Sequence, residues 1–174
     1  MKILHGEALT DSKDVLLNVF EDGYGERYLG DEYFLNNYIL QARAAVVNDT
    51  SDLIRGAALI GKSARITAIA TRNDRTIYGS RFQNLVTLIE ASQPIDNDVW
   101  IGIGHDAHPA VAAAAEQAGM QQCQSEEEVI ARLKRTERLS NFSIRRAVDG
   151  FEVSLEGSRH GPAHWTAVWG WQAK

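Results

Sequence analysis

Apolar and polar positions alternate along this chain with two periods, and the period changes mark the elements. Val15, Leu16, Val19 and Phe20 recur at helical spacing in "DVLLNVFED", and Asp11-Ser12 stands where a helix N-cap belongs. The glycines of "GYGERYLGDEYF" interrupt the pattern, and a second helix follows over roughly 31–40, with Phe34, Tyr38 and Ile39 on one face. "ARAAVVN" and "LIRGAALIG" are short apolar runs flanking "DTSD" and predict two strands joined by a turn; "ARITAIATR" predicts a third after "GKS". Phe82, Leu85, Val86 and Ile89 form an i, i+3, i+4, i+7 stripe and predict a helix over 80–92.

"VWIGIG" predicts a buried strand leading through "HDAH" into an alanine-rich helix, with Pro109 in its first turn and Gly119 at its end. Ser125-x-x-Glu128 is a capping box opening "EEEVIARLKRTERL", whose acids come first and bases last, as the helix dipole favours. "FSIRRAVDGFEVSLEG" predicts a hairpin turning at Asp149-Gly150 as a type I′ turn, and "HWTAVWGW" predicts one more strand. The order α-α-β-β-β-α-β-α, then a helix and strands, indicates an α+β (mixed α/β) domain. At 174 residues the chain suits one domain, with 1–122 as core and 123–174 adding the C-terminal helix and strands.

The single cysteine, Cys123, rules out a disulfide within the chain and suits a reducing, cytoplasmic setting. "MKILHGEALTDSKD" lacks the apolar core of a signal peptide, and no apolar run approaches the ~20 residues of a membrane span, so no membrane association is expected. A net charge of −5 disfavours a broad nucleic-acid footprint while leaving room for a local basic patch.

The segment "ITAIATRNDRTIYGSRFQNLVTLIEAS" carries strand, turn and helix in one run, with Arg72, Arg75 and Arg81 around the turn. The segment "HPAVAAAAEQAGM" follows the next strand. Together, over roughly residues 10–122, these resemble the GNAT superfamily of N-acetyltransferases. In that family a strand-to-helix turn of the form Arg/Gln-x-x-Gly-x-Gly/Ala holds the pyrophosphate of acetyl-CoA. Ile69 and Gly79 fit the family spacing; Asp74 and Ile77 occupy the basic and first-glycine positions. In "HPAVAAAAEQAGM", Glu116, Gln117, Gly119 and Met120 match, while His108 takes an asparagine position and Ala115 that of the tyrosine that protonates the leaving thiolate in many members.

The resemblance implies a twisted mixed sheet with helices on both faces. It also implies acetyl-CoA or another acyl-CoA as co-substrate, held along Ile69 and Thr71 and over Arg75, Tyr78, Gly79, Ser80 and Arg81. Arginine side chains and helix N–H groups would replace part of the missing glycine cradle; a plain turn with solvated arginines is the competing reading. The expected activity is acyl transfer to the amine of a small molecule or peptide. Its competitors are a binding or regulatory module without turnover and an offshoot using another donor, such as an aminoacyl-tRNA.

Strand 66–72 offers no carboxylate base, so His105 or Asp106 is the candidate, against a reading in which Asp106 and His108 cap the alanine helix. As metal ligands, His105 and His108 lack the spaced partners of a zinc site, and no metal is expected. Tyr24, Glu26 and Arg27 lie on the loop that lines the acceptor pocket in the family, and Tyr28 is the candidate replacement phenol. The alternative is an aromatic loop anchored to the core. Trp165, Trp169 and Trp171 crowd the C-terminal strand, which suits core packing or a homodimer through those strands.

Overall fold

The structure, a computed structural model, describes residues 1–50, 53–73, 80–105, 107–136, 142–155 and 163–172. The chain is mixed α+β. Its elements run β1 (Lys2–His5), α1 (Gly6–Asp11), α2 (Lys13–Tyr24), a 3₁₀ turn (Gly25–Arg27), α3 (Asp31–Phe34) with a π-helical extension (Leu35–Ile39), β2 (Ala42–Thr50), β3 (Leu53–Gly61) and β4 (Ile66–Thr71). Then come α4 (Ser80–Ser92), β5 (Trp100–Ile103), α5 (Pro109–Ala118), β6 (Gln121–Gln122), α6 (Glu126–Thr136), β7 (Phe142–Ala147), β8 (Gly150–Leu155), β9 (Ala163–Trp165) and β10 (Ala167–Gly170).

Among the described residues the strands form three antiparallel sheets, β1-β2-β3-β4, β5-β10-β6 and β7-β8-β9, the first two joined by one parallel bridge. The first sheet has helices on both faces. One cluster packs Leu16, Val19, Phe20 and Phe34 against Val47, Ala57 and Leu59. The other packs Leu85, Val86, Leu88 and Ile89 of α4, with Ala114 and Ala115 of α5, against Val46, Ala58 and Ile60. The alternation along β2 and β3 therefore sends successive residues to opposite cores, which is why these strands are apolar throughout.

Between the first two sheets lies the feature that shapes the site. β4 and β5 run parallel but meet at a single bridge, Arg65 to Trp100, where the Trp100 N–H donates to the Ala64 carbonyl at 3.1 Å. Beyond it β5 pairs with β10 instead, from Trp100↔Gly170 to Ile103↔Ala167. The two strands therefore form a V with its vertex at Arg65. A register shift in the β3–β4 ladder leaves Thr67 as an extra residue just past that vertex.

The C-terminal segment does not stand apart from residues 1–122. β10 lies between β5 and β6, Trp171 is buried with α4 and α5, and Arg132 of α6 donates from Nη2 to the Trp171 carbonyl at 2.6 Å. Half of the capping box forms: the Glu128 N–H donates to Ser125 Oγ, while the Glu128 carboxylate accepts from the N–H of Gln124 rather than that of Ser125. At α2, Ser12 is the N-cap but makes no side-chain capping bond.

The hairpin turn is displaced by one residue. Ala147 pairs with Gly150, so Val148 and Asp149 form the turn, and neither has positive φ, which excludes type I′. Gly150 serves close packing instead: a Cβ there would lie 2.1 Å from the Trp165 carbonyl oxygen. Among the described residues no helix is long and apolar enough to cross a membrane.

Candidate functional site

The V between β4 and β5 opens into a cleft of about 780 Å³. Ile66 to Thr71 form one wall and Ile101 to Gly104 the other. The ends of α2 and α3 contribute Tyr24, Tyr33 and Phe34; the N-termini of α4 and α5 contribute Arg81, Phe82, His108 and Val111. Arg27, Arg65 and Arg81 line this space, and no Asp or Glu does among the described residues.

The free edge of β4 follows from its pairing. The Arg72 N–H donates to the Arg55 carbonyl on the β3 side, so by strand alternation the N–H groups of Ile69 and Thr71 face the opposite edge. Ile69 N–H donates to the Tyr24 phenol oxygen at 3.3 Å. Tyr24 reaches it because α2 presses on β4 at Gly23, where a Cβ would lie 2.7 Å from the Ala70 Cβ. Burial raises the Tyr24 pKa, the Ile69 N–H offsetting part of the shift, so the phenol stays protonated at neutral pH.

At the open end Arg81 donates to the Thr71 hydroxyl and carbonyl, both at 3.3 Å, and to Asn73 Oδ1 at 3.4 Å. These acceptors are all neutral, so they orient the guanidinium without cancelling its charge. The α5 N-terminus opens beside it, with Pro109 in the first turn and His108 Nδ1 accepting from the Ala110 N–H at 3.1 Å. Two helix N-termini and an arginine thus converge on one mouth, an arrangement that favours an anion.

Several residues singled out from the sequence lie outside the cleft. His105 does not line the cleft; its Nε2 pairs with Asp149, whose other oxygen lies 3.1 Å from His164 Nε2, and the two imidazoles stack at 5.1 Å. The partners that the "HDAH" loop lacked thus come from the hairpin turn and β9. His105, Asp149 and His164 bring ligand atoms within 4.8 Å of one another, donor types that a zinc-like ion accepts. His108, by contrast, is the helix cap. Tyr28 lies outside the cleft and donates to Asp31 Oδ1 at 2.5 Å; Tyr24 is the phenol beside the β4 edge. Glu26 is exposed and does not line the cleft, whereas Arg27 does, with its guanidinium 5.9 Å from the Tyr24 ring centre.

Ala115 is fully buried in the α4–α5 core, away from the cleft. Arg75, Tyr78, Gly79 and Asp106 lie outside the described residues, as does the Ser80 side chain.

Sequence reasoning missed Arg65, which stands at the vertex. It fell inside the predicted strand "ARITAIATR", with nothing local to set it apart. Comparison with protein-family models, curated protein sequences and solved structures gives no match.

Proposed function

We propose that this chain is an acyltransferase that moves an acyl group from an acyl-CoA to an amine acceptor. The observation that carries this reading is the V between parallel β4 and β5, with an unpaired strand edge inside and an anion-favouring mouth at Arg81. The resemblance to the GNAT superfamily points the same way. The pyrophosphate lies at Arg81 and the N-termini of α4 and α5. The acyl-pantetheine arm follows the apolar walls toward Ile69. A neutral amine attacks the thioester carbonyl, a C–N bond forms, the C–S bond breaks, the thiolate takes a proton, and the acylated nitrogen releases its extra proton to solvent. Tyr24 is the phenol placed to donate it, and the β4 edge supplies the N–H that polarises the carbonyl once the Tyr24 hydroxyl yields it.

Calorimetric titration of CoA and acetyl-CoA into the purified protein tests this. Saturable micromolar binding that weakens by about 10- to 100-fold in Arg81→Ala is the expected result. No binding at millimolar ligand overturns it. A binding module without turnover is the second reading, favoured by the Ile69 N–H already having a partner in Tyr24. Acetyl-CoA binding with no thiol release across a broad amine panel selects it.

A further inference from the structure

The closed end of the cleft holds a cation that the acyl-transfer chemistry above does not use. Arg65 immediately precedes β4 at the vertex of the V. Its guanidinium carbon lies 4.9 Å from the Trp165 ring centre and 5.9 Å from that of Trp100. Its Nε is withdrawn from solvent and has no hydrogen-bond partner among the described residues. No carboxylate pairs with it among the described residues. The tryptophan rings accommodate the charge through their faces but offer no acceptor to its in-plane N–H groups. Burial lowers its pKa, with Tyr38 offsetting part of that shift, and the group remains a cation at neutral pH. Tyr33 and Tyr38 also line the cleft.

A buried guanidinium with an unsatisfied donor is costly to fold around unless something completes it. Arg65 lines the cleft, so a ligand entering there can reach it. From residue 65 to residue 71, β4 spans about 20 Å at the usual rise of a strand. The cleft therefore carries cations at two separated ends, Arg81 and Arg65, with Arg27 beside Tyr24 and apolar side chains between. One end takes the donor's phosphates; the other is free for the acceptor.

We infer that Arg65 binds a carboxylate of the amine acceptor, so that the substrate class is amino acids or other amino-carboxylates rather than simple amines. The planar fork of a guanidinium matches a carboxylate with two parallel hydrogen bonds. The inference rests on the acyl-transfer reading for the identity of the reaction, but not for the recognition of the anion.

The test uses matched pairs: the twenty L-amino acids and ω-amino acids of three to six carbons, each against its carboxamide. Transfer is followed as thiol release from acetyl-CoA, and binding separately as quenching of tryptophan fluorescence. The expected result is a preference for the acid of about 10- to 100-fold in kcat/KM for the best pair. Arg65→Gln is expected to abolish that preference and to leave CoA affinity unchanged. Arg65→Lys, which keeps the charge but not the fork, retains a smaller preference and is the variant to compare if Arg65→Gln lowers Tm too far. Acids and amides used equally by the wild type, or a preference untouched by substitution at Arg65, overturn the inference. If CoA fails to bind, the acyl-transfer reading falls, and fluorescence decides the Arg65 site alone. Quenching by acids but not amides, lost on substitution, upholds it; equal or absent quenching overturns it.

Discussion

The backbone N–H of Ile69 donates to the phenol oxygen of Tyr24 at 3.3 Å across the gap between α2 and the open edge of β4. One bond thus joins the strand that walls the cleft to the helix end that roofs it. Tyr24→Phe removes the acceptor and leaves a strand N–H facing the cleft without its protein partner. A stability loss of about 1 kcal/mol follows, or roughly 2–4 °C in Tm for a chain of this size. Under the acyl-transfer reading, turnover falls by about 10²- to 10⁴-fold while acetyl-CoA affinity holds. A variant with full turnover excludes Tyr24 as the proton donor.

The same phenol makes the protein sensitive to alkali. Burial raises the Tyr24 pKa in the native state, while in the unfolded chain a phenol titrates near about 10. Below pH 10 both states are protonated and the full contribution to stability is present. Above it the unfolded chain loses a proton that the native state keeps, so stability falls as pH rises. The slope from Tyr24 is about 1.4 kcal/mol per pH unit until the native phenol itself ionises. Urea unfolding between pH 9 and 11.5 should show this decline, shallower by that amount in Tyr24→Phe. Parallel curves for the two proteins contradict it.

Gly102 on β5 lies against the Trp165 ring, where a Cβ would come within 2.5 Å of Cδ2 and Cε2. Trp165 in turn packs edge-on against Trp100 at 5.1 Å and faces Arg65. Gly102→Ala must displace this ring, with a loss of about 1–3 kcal/mol. An unchanged Tm shows that Trp165 repacks freely, and a cleft that then loses its carboxylate preference shows that the ring sets the Arg65 geometry.

What the sequence revealed and what it hid separate along physical lines. The stripe Phe82, Leu85, Val86 and Ile89 exposes α4 because helical periodicity is local, and three of these four residues are buried. Pro109 and Gly119 bracket α5 for the same reason. β1 was invisible because only Leu4 of its four residues is buried, too short a signal for any period. Arg65 fell inside the predicted strand "ARITAIATR" with nothing local to mark it; it is buried against Trp100 and Trp165, both distant along the chain. The His105–Asp149–His164 cluster joins a loop, a turn and a strand that no spacing rule links. In both cases tertiary contact, not pattern, makes the group.

Ala115 illustrates the same limit. By alignment with the family pattern it occupies the place of a catalytic tyrosine, and a tyrosine introduced there would restore an acid if that face met the cleft. The residue is instead fully buried, in the cluster that holds Val86, Ile89, Met120 and Trp171. The Met120 N–H donates to its carbonyl at 3.0 Å, which ends α5. The small side chains of "AAAA" allow α5 to pack closely on α4, and a phenol ring at 115 has no room without moving one helix. Ala115→Tyr therefore lowers stability by about 1–3 kcal/mol, and more if the hydroxyl finds no partner. It brings no gain in turnover. Melting curves and thiol-release assays on the variant check both halves. A stable variant with raised turnover would place residue 115 at the cleft after all and return the acid's role from Tyr24 to the α5 position.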